Sequence, residues 1–103
     1  MAVLVEFAMF PTDKGASVSE YVSKIINMFK EGDVPYQLTP MGTIFETETV
    51  NEALSVIQQA YDILEPDSKR IYSTLKFDIK KDKKGMMKQK IQSVQNRIGD
   101  VNL

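Results

Sequence analysis

Ala2 to Pro11 is apolar at nearly every position and reads as a single strand. Val3, Val5, Phe7 and Met9 share one face, and Leu4, Ala8 and Phe10 share the other, interrupted by Glu6. Side chains alternate along a strand, and one that is apolar on both faces is normally covered on both. The rest of the chain has to supply that cover.

Thr12 to Ala16 is a turn-rich loop. Ser17-Val18-Ser19-Glu20 then matches a capping box, in which hydroxyl and carboxylate each satisfy a free backbone N–H. Val18, Tyr21, Val22, Ile25, Ile26 and Phe29 follow at the spacing of one helical face. Gly32-Asp33 stops this helix and Pro35 leads into the next strand. Two strands flank the Pro40-to-Gly42 turn. A second capping box, Thr49-Val50-Asn51-Glu52, starts a helix whose predicted apolar face is Val50, Ala53, Leu54, Ile57, Ala60, Tyr61 and Leu64, with Pro66 just beyond. Arg70 to Lys80 alternates as a long strand, with Ile71, Leu75, Phe77 and Ile79 opposed to Tyr72, Thr74, Lys76 and Asp78. A lysine-rich turn leads to a last helix striped by Met87, Ile91, Val94 and Ile98.

This order predicts an α+β, ferredoxin-like βαββαβ fold: an antiparallel four-stranded sheet with two helices on one face, plus a C-terminal helix. At 103 residues the whole chain, 1–103, is expected to be one domain. The second sheet face is then expected to lack helices. It would carry Leu4, Ala8 and Phe10 beside Tyr72, Thr74, Lys76 and Asp78, which is too apolar to leave bare and too polar for a core. A homo-oligomer closed through sheet faces or edge strands resolves that conflict.

Composition narrows the chemistry. The chain has neither Cys nor His, so it lacks a thiolate nucleophile, a disulfide and the usual general base near neutral pH. Catalysis would have to run on carboxylates, Lys or Tyr, and the expectation is a protein that is not an enzyme. A net charge of −1 favours no nucleic-acid partner. The one basic cluster, Lys80 to Lys84 with Lys88 and Lys90, lacks the interleaved aromatics of a nucleic-acid surface and reads as a solvated turn. No run is long enough to span a membrane, the N-terminus lacks a secretory pattern, and a cytoplasmic address fits. No loop has calcium-ligand spacing, so no metal site is expected.

The segment from Tyr36 to Glu46 carries more polar chemistry than a turn requires. Thr43 and Glu46 read either as hydrogen-bonding anchors beside the Met41-Gly42 step or as ordinary strand residues. Tyr36 and Phe45 read as a flat surface for a heteroaromatic ligand or, singly, as core. Ser17 and Ser19 stand at a helix start, a place that binds anions well, although capping already accounts for Ser17. Glu6, Lys76 and Asp78 are strand residues able to pair across the sheet, and Asp78 with Glu46 is also a candidate acid/base pair.

Gly15 to Val22, with its Ser-Val-Ser-x-Tyr-Val core, and Pro40-Met41-Gly42-Thr43 with Glu46 resemble the small, conserved thiamine-binding proteins. Arg70-Ile71, Lys76-Phe77-Asp78 and Lys90 to Val94 follow in the order of the same family. The resemblance implies a ferredoxin-like domain that assembles into dimers and tetramers and binds thiamine or its hydroxymethylpyrimidine moiety without a known reaction. It places ligand contacts at Ser17 or Ser19, at Met41, Gly42 and Thr43, and at Glu46. Thr47 stands where the family usually has Gly, which implies a narrower pocket, and Lys80 where it often has Arg, which weakens a bidentate anion contact. The expected function is a carrier, buffer or sensor in thiamine metabolism. The alternatives are a structural or regulatory oligomer with a vestigial pocket and a carboxylate-dependent enzyme.

Overall fold

The computed structural model describes residues 1–15 and 18–103. Four strands, β1 (Ala2–Pro11), β2 (Tyr36–Thr39), β3 (Gly42–Thr47) and β4 (Ile71–Lys80), form one sheet in the order β2-β3-β1-β4, every neighbouring pair antiparallel. The helices are α1 (Ser19–Glu31), α2 (Val50–Leu64) and α3 (Met86–Ile98), with a 3-10 turn over Glu65–Asp67 after α2. This is the α+β ferredoxin-like arrangement, and the strand apolar on both faces lies inside the sheet.

Val3, Val5, Phe7 and Met9 of β1 are buried beneath α1 and α2, as their shared face predicts. Phe7, Phe29 and Phe45 form the centre of this core, Phe7 meeting Phe45 edge-on at 5.6 Å between ring centroids. Helix α2 starts at its capping box, with the hydroxyl half formed as expected and the carboxylate half shifted by one residue. The Thr49 hydroxyl accepts the Glu52 N–H at 3.1 Å, while the Glu52 carboxylate accepts from Glu48, one residue before the cap, at 3.3 Å. The Ser17 half of the first capping box lies outside the described residues; α1 begins at Ser19 with Val18 in the N-cap position.

Three expectations need correction. The inward stripe of α2 is Ala53, Val56, Ala60 and Leu64, whereas Leu54 and Tyr61 are exposed. The small residues Ala53 and Ala60 let the helix approach the sheet, and this turns Leu54 and Tyr61 off the contact. Leu75, Phe77 and Ile79 of β4, expected under the helices, are also exposed, because α1 and α2 sit over β1 and β3 and stop short of this edge strand. The opposite sheet face is not free of helices either. Helix α3 crosses one end of it, bringing Met87, Lys90 and Ile91 to Leu4, Gln37 and Ile44.

Gly42 fixes how closely β3 approaches β1. A Cβ at this position would stand 2.8 Å from the Phe7 carbonyl oxygen, a backbone atom that cannot swing away. Gly42→Ala is therefore expected to destabilise the fold by about 1–3 kcal/mol, as overpacking typically does. Urea denaturation followed by circular dichroism measures it.

Candidate functional site

Strands of unequal length create a cavity beside the β2–β3 hairpin. β4 follows β1 along its whole length, from Ala2 opposite Lys80 to Pro11 opposite Ile71, but β3 pairs with β1 only from Val3 to Phe7. Past Phe7, the β1 edge faces the β2–β3 hairpin turn instead of a strand. Val18, Val22 and Ile25 at the α1 end and Leu38 to Thr43 of the hairpin enclose a space of about 220 Å³, floored by Phe7 to Phe10.

The hairpin wall is locked by one side chain. The Thr39 hydroxyl donates to the Gly42 carbonyl at 2.8 Å and accepts the Met41 N–H at 3.3 Å. Thr43 lies one residue further along the same wall, with 5% of its surface exposed. Its hydroxyl makes no hydrogen bond among the described residues. A free hydroxyl that opens onto an apolar space is a group placed to orient a polar guest.

The sequence-derived candidates divide between several places. Gly42 and Thr43 line the cavity, and Met41 stands at its rim, almost fully exposed. Gly42 is small for the sake of β1, whose backbone it admits. Phe45 is fully buried against Phe7 and Phe29, and Tyr36 stacks on Phe29 at 5.3 Å, so both rings belong to the core. Ser19 is the first residue of α1, its carbonyl accepting the Ser23 hydroxyl at 2.7 Å; Ser17 lies outside the described residues. The apolar lining from Phe7, Phe10, Val18, Val22 and Leu38 has no polar motif to mark it in the sequence. The available signal was a ten-residue β1 beside a six-residue β3, a mismatch that leaves a gap.

Glu46 and Asp78 lie elsewhere. Both stand opposite Leu4, one on each side of it, on the face that α3 crosses. Glu46 Oε1 accepts the Met87 N–H at 2.9 Å, satisfying one of the free amides of the first α3 turn, where a carboxylate is favoured by the helix dipole. Asp78 Oδ2 accepts from Lys90 Nζ at 2.6 Å. The strand carboxylates thus dock the last helix. Glu6 pairs with Lys76 directly across the sheet at 3.2 Å, an exposed ion pair worth at most about 1 kcal/mol. Among the described residues, no three acidic side chains gather as a metal site would need. Thr47 does not narrow the cavity: it is buried at the far end of β3, its hydroxyl donating to the Thr49 carbonyl at 2.8 Å.

Fold and cavity together define a small ferredoxin-like domain with an apolar recess between its hairpin and first helix. The chain belongs to the thiamine-binding protein family, whose model matches residues 5–95. It is 36% identical to the UPF0045 protein MJ1052 of Methanocaldococcus jannaschii over 92 residues, covering 89% of this chain and 91% of that one. It is 34% identical to the UPF0045 protein YqgV of Bacillus subtilis, covering 80% and 83% respectively. The crystal structure of the Methanocaldococcus protein superposes with a TM-score of 0.80 at 35% identity, covering 90% of this chain and 95% of that one. A candidate thiamine biosynthesis/salvage protein of Thermotoga maritima shares the fold, with a TM-score of 0.75 at 18% identity over 90% of this chain and 99% of that one.

The Lys90 ammonium holds the Asp78 carboxyl below its usual range, chiefly through their hydrogen bond. A carboxylate made more acidic by folding supports the fold at neutral pH, and that support is lost as pH falls through its folded-state value. The α3 contact is therefore expected to loosen below about pH 4, the ordinary carboxylate range. Methyl NMR of Ile91 checks this, and Asp78→Asn should remove the pH dependence by leaving the contact loose throughout.

Proposed function

We propose that this protein binds thiamine or its hydroxymethylpyrimidine moiety, without transforming it, as a cytoplasmic carrier, buffer or sensor in thiamine metabolism. The observation that carries this reading is the cavity between α1 and the β2–β3 hairpin, in a chain of the thiamine-binding family. Its walls are apolar, with the Thr43 hydroxyl as a hydrogen-bonding group among them, the composition that ligand sites favour. At about 220 Å³ it is smaller than the roughly 300–1,000 Å³ of sites for drug-sized molecules, and that size suits one ring held inside with the remainder of the ligand outside. The lack of His and Cys supports retention over chemistry.

Calorimetry with thiamine and with hydroxymethylpyrimidine tests the site. Thr43→Val should weaken binding about three- to tenfold, the worth of one net hydrogen bond. Val22→Phe, which fills the cavity, should abolish it. Unchanged affinity in both variants removes the cavity from the proposal. A loss confined to Glu46→Ala would move the site to the α3 contact.

A homo-oligomer is the second part of the proposal, and the β4 edge favours it. This strand is bonded only to β1, and it exposes Leu75, Phe77 and Ile79 in a row. Long apolar edges of this kind invite pairing with another strand. An antiparallel register centred on Phe77 would set Lys76 against Asp78, and Leu75 against Ile79, of a second copy. A dimer built this way also serves the alternative role of a regulatory or structural oligomer. Phe77→Lys is expected to give a monomer by light scattering, because it places two like charges face to face at the symmetry axis.

A further inference from the structure

We propose that the backbone of Met9 reads the ligand in the cavity, through an N–H donor and a C=O acceptor left without a strand partner. This inference rests on the cavity being the ligand site. Two observations give the direction of the β1 backbone. The Phe7 carbonyl points toward β3, since a Cβ on Gly42 would stand 2.8 Å from its oxygen. The Thr12 N–H points the other way, donating to the Arg70 carbonyl at 2.9 Å beyond the start of β4. Backbone groups of successive strand residues face opposite neighbours. Phe7, Met9 and Pro11 therefore face the β3 side, while Ala8, Phe10 and Thr12 face β4.

Pairing with β3 ends at Phe7 opposite Thr43. The Met9 N–H and C=O come next on that side, with no partner among the described residues, at a position that borders the cavity. Met9 is 7% exposed, so its amide is shielded from bulk water on most sides. Buried backbone donors and acceptors are nearly always paired, which makes this pair a polar feature requiring a partner. Pro11 is the following residue on the same edge and has no N–H to offer, so an incoming strand would find its ladder cut short. The partner fitting these limits is a flat heterocycle carrying a ring-nitrogen acceptor beside an amino donor. The ring nitrogen takes the Met9 N–H, and the amino group donates to the Met9 carbonyl. Thr43, on the opposite wall, contacts the other edge of the ring.

The experiment compares 4-amino-2-methylpyrimidine with 2,4-dimethylpyrimidine, nearly equal in shape but lacking the donor in the second. Titration is followed by the amide resonances of protein labelled with 15N-methionine, Met9 being assigned from Met9→Leu. The expected result is a saturable downfield shift of the Met9 amide with the amino compound and about tenfold weaker binding of the dimethyl compound. Equal binding of the two with a stationary Met9 amide overturns the backbone reading and leaves the proposed function standing. Binding of neither removes both. A Met9 shift produced by N-acetyl-valyl-threonine amide and not by the pyrimidine overturns the ligand class in favour of a peptide.

Discussion

The unequal reach of the two neighbours of β1 governs the molecule. β4 matches β1 residue for residue, whereas β3 leaves it at Phe7. A sheet whose central strand outruns one neighbour cannot close its hydrogen-bond ladder there, and neither can the two layers of side chains meet without a gap. The hairpin turn, clamped by Thr39, closes one side of that gap, and the start of α1 covers it. The cavity is thus a consequence of register and needs no dedicated loop. Its dimensions are set by how far β3 reaches, which Gly42 controls by letting β3 come hard against β1.

The fold was legible because periodicity and punctuation agreed along the chain. Alternation in Ala2 to Pro11, the Thr49 cap and the Gly-Asp stop each marked an element, and local signals of this kind do not depend on tertiary context. The inaccurate details were those that tertiary context decides. A helical wheel assigns Leu54 and Tyr61 to the apolar side of α2 almost as well as Val56, and only contact with the sheet selects between them. Strand alternation likewise separates Leu75, Phe77 and Ile79 from their polar neighbours, but cannot say that the helices end before reaching them.

The candidate site was less legible than the fold for a related reason. Polar residues stand out in a sequence, and Glu46 and Asp78 drew attention as carboxylates inside strands. Their conspicuousness has a mechanical cause: each binds a part of α3, one its first-turn backbone and the other Lys90. Thr43 and Gly42 were recognisable from the turn they flank. The apolar floor and roof were not, since Phe7, Val22 and Leu38 resemble any other core residues until the strand register is known. Backbone groups such as those of Met9 leave no mark on the sequence at all.

Helix α3 has an uneven relation to the rest. Met86 is its only buried residue among those described, and Val94 and Ile98 are exposed. The main core draws on β1, β3, α1 and α2 without it. The molecule accordingly divides into a body and a clip, the clip held by two polar fastenings and a small apolar footprint. Elements with few buried contacts open at a lower free-energy cost than the body around them. The C-terminal segment can therefore lift and settle many times within the lifetime of one folded molecule, alternately covering and baring the Leu4–Ile44 surface while the cavity on the far side of β3 keeps its shape.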